Sequence, residues 1–192
     1  MKVKKVLAAV WDFGTTDEGG LTVMGPRKPP ISWESVKDDI LSLGEELGEL
    51  EGIGLVGSLI WGGFDEEKSD IDVFIVLPDL PPEEFRAAER RWRERLSRLF
   101  YGKYQRDVTV IAYSLRSLRK VPVWHTLIMA SDGLLIWDKG KVAKIFRRIV
   151  EEAEKQGLER VVCGYKHPIW RIKPPVKPGT IVKVEIPEDE EI

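Results

Sequence analysis

Two short sets of residues in the middle of the chain have types and a spacing suited to phosphate and metal chemistry. Gly57-Ser58 is followed, after eleven residues, by Asp70-Ile71-Asp72. Carboxylates at alternate positions of a strand project from one face, about 7 Å apart along the backbone, and can share hard divalent cations. A Gly-Ser turn offers backbone N–H groups and a hydroxyl to a phosphate. The two sets together predict phosphoryl or nucleotidyl transfer.

Strands that would position these residues are indicated by apolar and β-branched runs bounded by turn residues. The four runs are residues 52–56, 73–77, 107–113 and 134–137. Gly57-Ser58 follows the end of the first run, and the aspartate pair leads into the second. Asp107 begins the third run, where its carboxylate would face the pair across the sheet.

Apolar residues at helical spacing predict helices that cover this sheet, in segments 33–50, 83–100 and 141–156. The fold class is therefore α/β, with a mixed four-stranded sheet covered by helices. Weaker runs at residues 3–11, 21–24, 161–165 and 180–184 predict small accessory β segments at both termini, which could pair with one another.

This organisation divides the chain into three parts. Residues 1–31 are predicted to be a β-hairpin extension, residues 32–158 a catalytic core, and residues 159–192 a β extension with an acidic tail. The N-terminal hairpin has two interpretations, a small packing element or a flap that faces the substrate, and the first is the more frequent for such a segment.

The Gly57-Ser58 pair, the eleven-residue interval and Ser69-Asp70-Ile71-Asp72-Val73 resemble a known signature. It is that of the DNA polymerase beta-like nucleotidyltransferase superfamily, in particular its small stand-alone prokaryotic members. Arg106-Asp107-Val108-Thr109-Val110 is similar to the element that carries the family's third carboxylate. The resemblance covers roughly residues 36–157 and leaves both ends of the chain unassigned.

The resemblance implies that the chain moves an NMP from an NTP, with ATP the favoured one, to a hydroxyl acceptor and releases pyrophosphate. Asp70, Asp72 and Asp107 would be the catalytic residues and the ligands of two Mg²⁺ ions, for which Mn²⁺ could substitute. Asp107 would also take the proton of the acceptor hydroxyl. Gly57 and Ser58 would contact the β- and γ-phosphates. The acceptor, which could be a protein, is not indicated.

One departure from the family pattern concerns the positive charge near the triphosphate. Many relatives carry an arginine just after the Gly-Ser pair, whereas this chain has Leu59-Ile60-Trp61. Lys68, in the following loop, is the candidate that would supply a nucleotide-binding charge instead. A solvated loop lysine is the more frequent situation for a residue of this kind.

Two other classes of function stay open at this point. Small relatives of this type act as antitoxins partnered with a helical protein, which they neutralise or modify. Others bind a nucleotide without turnover and serve as regulators. The set of three aspartates favours a working enzyme over both alternatives.

Composition excludes several other classes. With 43% hydrophobic and 32% charged residues the chain is typical of a globular protein, and its net charge of −2 does not favour nucleic-acid binding. The segment 83–100 carries many arginines. Glu89 with Arg93 and Glu94 with Arg98 stand four residues apart, however, which indicates a solvated, salt-bridged helix face.

Cysteine usage and hydropathy predict the compartment. Cys163 is the single cysteine, so no internal disulfide forms, and no apolar run reaches the ~20 residues that span a bilayer. The basic start of the chain is too short for a signal peptide. We therefore expect a cytoplasmic protein. The absence of Asn, with only two Gln and many Lys, Arg and Glu, suggests a thermophilic source.

Overall fold

The computed structural model describes residues 12–15, 21–24, 28–121, 124–162, 168–177 and 179–187. In chain order the strands are β1 (Asp12–Thr15), β2 (Leu21–Met24), β3 (Gly52–Val56), β4 (Ile71–Leu77), β5 (Val108–Ser114), β6 (Leu134–Asp138), β7 (Leu158–Val162) and β8 (Pro168–Ile172). The α-helices are α1 (Trp33–Leu41), α2 (Ser58–Trp61), α3 (Pro82–Tyr104), α4 (Leu115–Arg119), α5 (Trp124–Asp132) and α6 (Val142–Lys155), and a 3₁₀ helix spans Gly44–Glu49.

The four predicted core strands form one mixed sheet, in the order β5-β4-β3-β6. β3 runs antiparallel to both of its neighbours, while β4 and β5 are parallel and are joined by α3 as the crossover helix. The α/β fold with a mixed four-stranded sheet covered by helices is thus confirmed.

Alternate side chains of β4 point to opposite faces of the sheet, and each face has its own apolar core. Ile71, Val73 and Ile75 lie in a cluster with residues of α1 and α3. Phe74 and Val76 lie in a second cluster with residues of α5 and α6. Because Asp72 has the same parity as Phe74, the aspartate belongs to the α5/α6 face, at the end where β4 begins.

The segment 33–50, predicted to be one helix, is instead divided in two. α1 ends at Leu41, and the 3₁₀ helix begins at Gly44, whose φ of +58° is left-handed and stops the α-helix. The apolar stripe is nevertheless continuous, since Val36, Ile40, Leu47 and Leu50 are all buried. The spacing of apolar residues therefore predicted the buried side chains correctly but did not predict the break between α1 and the 3₁₀ helix.

The accessory β segments form two separate hairpins, β1-β2 and β7-β8. Among the described residues these two hairpins do not pair with each other, and the prediction of a strand at 180–184 is wrong. Those residues have no regular structure, although Val184 and Ile186 are buried in the second cluster. The alternating apolar residues of this segment indicate which side chains are buried and do not indicate a paired strand. The predicted run at residues 3–11 lies outside the described residues, as do 163–165.

Among the described residues, no helix has the length and apolar composition needed to cross a bilayer.

Candidate active site

The aspartate pair lies at the end of the sheet where β4 begins. Asp72 is the second residue of β4, opposite Val56 of β3 and Thr109 of β5, and Asp70 immediately precedes the strand. Asp70 is exposed and Asp72 is half-buried. Burial, and next the charge of Asp70, raise the pKa of Asp72. The two carboxylates are therefore close enough to repel each other.

Gly57, at the end of β3, lies directly against Asp72. A Cβ on this glycine would be 2.1 Å from Oδ2 of Asp72, which is far inside van der Waals contact. The backbone at Gly57 has φ 81° and ψ −164°, a region that only glycine adopts readily. The side chain of Asp72 thus occupies the space that any other residue at position 57 would need.

The turn after Gly57 is a single helical turn, α2. The backbone N–H groups of Ile60 and Trp61 both donate to the Gly57 carbonyl at 3.1 Å. Ser58, predicted to contact a phosphate, is the first residue of this turn and is partly exposed. The indole Nε1 of Trp61 donates to the carbonyl of Asp132 at 2.9 Å, which fixes the turn to the end of α5.

The loop between the two halves of the signature is organised by Asp65. Its carboxylate accepts hydrogen bonds from the backbone N–H groups of Glu67 (2.8 Å) and Lys68 (3.1 Å). The Glu67 bond is the largest cause that lowers the pKa of Asp65. Lys68, predicted to bind nucleotide, is therefore held in this turn by its backbone, and its side chain is exposed.

A buried cation lies beneath the same loop. Arg106 is 1% exposed; its Nη1 donates to the carbonyl of Glu66, and its guanidinium carbon lies 5.4 Å from the centre of the Phe64 ring. Its Nε and Nη2 atoms are buried without a hydrogen-bond partner. Sequence reasoning gave Arg106 no role, because nothing in composition or periodicity marks an arginine as buried.

Asp107 and Thr109, at the start of β5, have the same parity as the aspartate pair. The parallel register sets Thr109 beside Asp72, and the step before β5 sets Asp107 beside Asp70. The carbonyl of Asp107 accepts from the N–H of Ile71 at 3.0 Å, and its side chain is exposed. The hydroxyl of Thr109 donates to Oδ2 of Asp70 at 3.0 Å.

The structure therefore brings Gly57, Asp70, Asp72 and Thr109 together. In the described part of the chain, no three His, Cys, Asp or Glu side chains lie close enough together to hold a metal ion. Asp107 is therefore not grouped with Asp70 and Asp72. The oxygen donors that are present suit a hard divalent cation. Burial, and next the charge of Asp70, keep the pKa of Asp72 above its ordinary value. Thr109 was missed by sequence reasoning; its signal was its position two residues after Asp107, on the same strand face.

Residues 37–123 match the family model of the nucleotidyltransferase domain. The chain contains a nucleotidyltransferase domain. The matched segment runs from α1 through α4 and includes every candidate residue of the site. It confirms the family that the Gly-Ser and aspartate signature indicates.

Three solved structures are similar to parts of the chain. A Sulfolobus solfataricus protein described as a nucleotidyltransferase is 21% identical, over 57% of this chain and 82% of its own, with a TM-score of 0.36. A mutant of the toxin–antitoxin MntA-HpeT is 17% identical, over 62% of this chain and 93% of its own, with a TM-score of 0.35. A toxin–antitoxin structure with AMP-PNP is 18% identical, over the same shares of the two chains, with the same TM-score. No curated protein matches the chain.

Proposed function

We propose that this protein transfers a nucleoside monophosphate from an NTP to a hydroxyl acceptor and releases pyrophosphate. One observation carries the proposal: within the nucleotidyltransferase domain, Asp70 and Asp72 lie together at the sheet end, against Gly57. None of the ion pairs between described residues includes either carboxylate, and the pKa of Asp72 is raised. Two adjacent carboxylates without a cation are costly, so their placement favours a site that a divalent cation completes.

Asp70 and Asp72 would hold the cations, Mg²⁺ or Mn²⁺, and Asp107 would be a third ligand from the start of β5. When bound, such ions neutralise charge on the transferred phosphoryl group and lower the pKa of the acceptor hydroxyl. The oxygen ligands of the chain suit these hard cations better than soft ones.

The remaining work falls to the chain's own groups. The backbone N–H groups at Gly57-Ser58 would donate to the β- and γ-phosphates, and the Ser58 hydroxyl and the Lys68 ammonium would add a donor and a positive charge. The acceptor oxygen attacks the α-phosphorus. The bond from the α-phosphorus to the oxygen that bridges to the β-phosphorus breaks, and that oxygen leaves with pyrophosphate. The acceptor's proton passes to the carboxylate of Asp107.

The test combines binding with turnover. NTP affinity is measured by calorimetry with Mg²⁺, with Mn²⁺ and with chelator, and pyrophosphate release is followed for each of the four NTPs. Mass spectrometry then identifies whatever becomes modified. We expect metal-dependent affinity in the wild type, and none of that dependence in the double variant Asp70→Asn, Asp72→Asn.

Asp38→Asn, which neutralises an exposed aspartate on α1, is the matched control and should behave as the wild type does. Equal NTP affinity with and without metal in the wild type would sink the proposal.

A second candidate is a nucleotide-binding regulator or antitoxin-type protein that has no turnover and is partnered with a helical protein. It is favoured by Asp107, whose carboxylate is not grouped with the pair, and by Thr109, a neutral residue at the position beside Asp72. Metal-dependent NTP binding without pyrophosphate release, for any acceptor or purified partner, would favour this candidate over the first.

A further inference from the structure

The hydroxyl of Thr109 contacts the aspartate pair from the neighbouring strand. Its Oγ1 lies 3.0 Å from Oδ2 of Asp70 and donates to it, and Thr109 is the register partner of Asp72. The hydroxyl therefore holds the carboxylate of Asp70 from the strand position that is paired with Asp72. Of the hydrogen bonds between described residues, this is the one that reaches the carboxylate of Asp70.

Of positions 107 and 109 at the start of β5, position 109 is the one paired with Asp72. Asp107 precedes β5 and is opposite Asp70, whereas Thr109 lies two residues further along, beside the half-buried Asp72, and both Asp107 and Thr109 are exposed. A carboxylate at position 109 would lie near both aspartates and would raise the negative charge of the site by one. A hydroxyl at the same position adds no charge, and its hydrogen bond holds Asp70 in place.

We propose that Thr109 is a positioning residue for cation binding by Asp70 and Asp72. By donating to Oδ2 of Asp70 it fixes the orientation of that carboxylate without adding a charge to the site. The inference rests on the proposed function, because it requires a divalent cation at the pair. It adds a residue that sequence reasoning did not assign, and it gives the reason that a β-branched residue with a hydroxyl stands at this point of β5.

The experiment measures Mn²⁺ binding alone, by electron paramagnetic resonance titration of the full chain without nucleotide. Thr109→Val keeps the shape and the strand preference of the residue and removes only the hydroxyl. Loss of a hydrogen bond that orients a metal ligand commonly costs 10-fold or more in metal affinity. We expect a Mn²⁺ affinity roughly tenfold lower in Thr109→Val and within about twofold of the wild type in Thr109→Ser.

Two further variants complete the design. Thr109→Asp adds a carboxylate beside Asp72 and should raise the Mn²⁺ affinity on the order of tenfold, since ligand charge tunes cation affinity. Thr126→Val removes a threonine hydroxyl that donates to the hydroxyl of Tyr113 in the interior, and it should leave Mn²⁺ affinity unchanged. Thermal unfolding of each variant shows that it is folded.

The outcomes separate the two proposals. Wild-type protein that binds no Mn²⁺ overturns the proposed function, and this inference with it. If the wild type and Thr109→Val bind Mn²⁺ equally tightly, the inference about Thr109 is overturned and the proposed function is not. An equal loss in Thr109→Val and Thr109→Ser also overturns it, because shape and not the hydroxyl would then matter, and so does a Thr109→Asp variant with unchanged affinity.

Discussion

Helix α3 and the start of β4 are both rich in charge, but their charges are arranged in opposite ways. Five of the six arginines of α3 are paired with glutamates on α3 itself or on the adjacent 3₁₀ helix. The pairs are Arg86–Glu83, Arg91–Glu49, Arg93–Glu89, Arg95–Glu46 and Arg98–Glu94. At the start of β4, two carboxylates stand together, and in the described part of the chain no ion pair reaches either of them.

The difference indicates what each region is for. Exposed ion pairs contribute roughly 0–1 kcal/mol each, so the charges on α3 amount to a solvated surface with modest stabilisation. That arrangement agrees with the prediction of a salt-bridged helix face and leaves little net positive charge for a nucleic acid. At the start of β4, the raised pKa of Asp72 means that its ionised carboxylate reduces the stability of the fold instead. A carboxylate cluster that destabilises the fold is better explained by a role in ligand binding than by a role in stability.

The comparison is tested most severely at Asp107, the third aspartate of the sheet end. Asp107→Asn keeps the shape of the side chain and removes its charge, so an effect on turnover is chemical rather than steric. We expect pyrophosphate release to fall at least about a hundredfold, the low end for loss of a positioned acid–base group, with NTP affinity changed only a few-fold.

Glu84→Gln, at the exposed start of α3, is the matched control from the other charged region, and this variant should release pyrophosphate as the wild type does. Normal turnover of Asp107→Asn would make Asp107 a structural residue at the start of β5.

The next largest effect is expected at Gly57, where an added Cβ would collide with the carboxylate of Asp72. Gly57→Ala places a Cβ where Oδ2 of Asp72 lies and forces alanine into a glycine-only backbone region, which alone costs about 1–3 kcal/mol. In an Asp72→Ala background the contact with the carboxylate is gone, so the same substitution should cost less. The free energies of unfolding of the four proteins give a double-mutant cycle.

The control for backbone strain alone is Gly140→Ala. Gly140 has a φ of +117° and no atom within 4 Å of the Cβ that alanine would add. An identical cost of Gly57→Ala in both backgrounds would show that the glycine serves the turn and not the carboxylate.

The fold was largely predictable from sequence, and the site only in part. The four core strands follow from apolar runs, and α6 follows from its regular stripe, because burial alone sets those patterns. The signature located Gly57, Asp70 and Asp72 because local spacing and strand parity fix their relation. It selected Asp107 and missed Thr109, since the two share a face and only the β4–β5 register places Thr109 beside Asp72.

Other features depend on tertiary packing that no local pattern records. Arg106 is buried because the loop around Phe64 and Glu66 covers it, and residues far apart in sequence create that environment. Similarly, Trp61 donates to the carbonyl of Asp132 across 71 positions of the chain. The buried side chains of the segment 180–187 alternate as in a strand, yet that segment joins the second cluster without joining a sheet.

A smaller effect concerns the pH dependence of stability, through the raised pKa of Asp72. The folded state holds that proton more tightly than the unfolded state does, so the ionised carboxylate destabilises the fold above the folded pKa. This penalty disappears as the pH falls towards the ordinary value of 3.8. Asp72→Asn should therefore be at least as stable as the wild type at pH 7 in chelator, and its advantage should vanish near pH 4.

Urea unfolding at the two pH values measures the difference. Added Mg²⁺ should reverse the order at pH 7, because it stabilises only the protein that binds it. A variant that is less stable than the wild type at pH 7 without metal would mean that the Asp72 carboxylate contributes to folding, contrary to the comparison with α3.

The smallest effect is expected on α3 itself. Arg98 and Glu94 are 3.4 Å apart, with 81% and 58% of their side chains exposed, so Arg98→Met should change the free energy of unfolding by no more than about 0.5 kcal/mol. Arg93 differs, because it also donates to the carbonyl of Val110 on β5 at 3.3 Å, and Arg93→Met should cost more. Neither variant should alter NTP affinity, and 0.5 M salt should remove the small effect at Arg98 while leaving part of that at Arg93. A lower NTP affinity in Arg98→Met would mean that α3 also contributes to ligand binding. The proposed difference in role between α3 and the start of β4 would then be wrong.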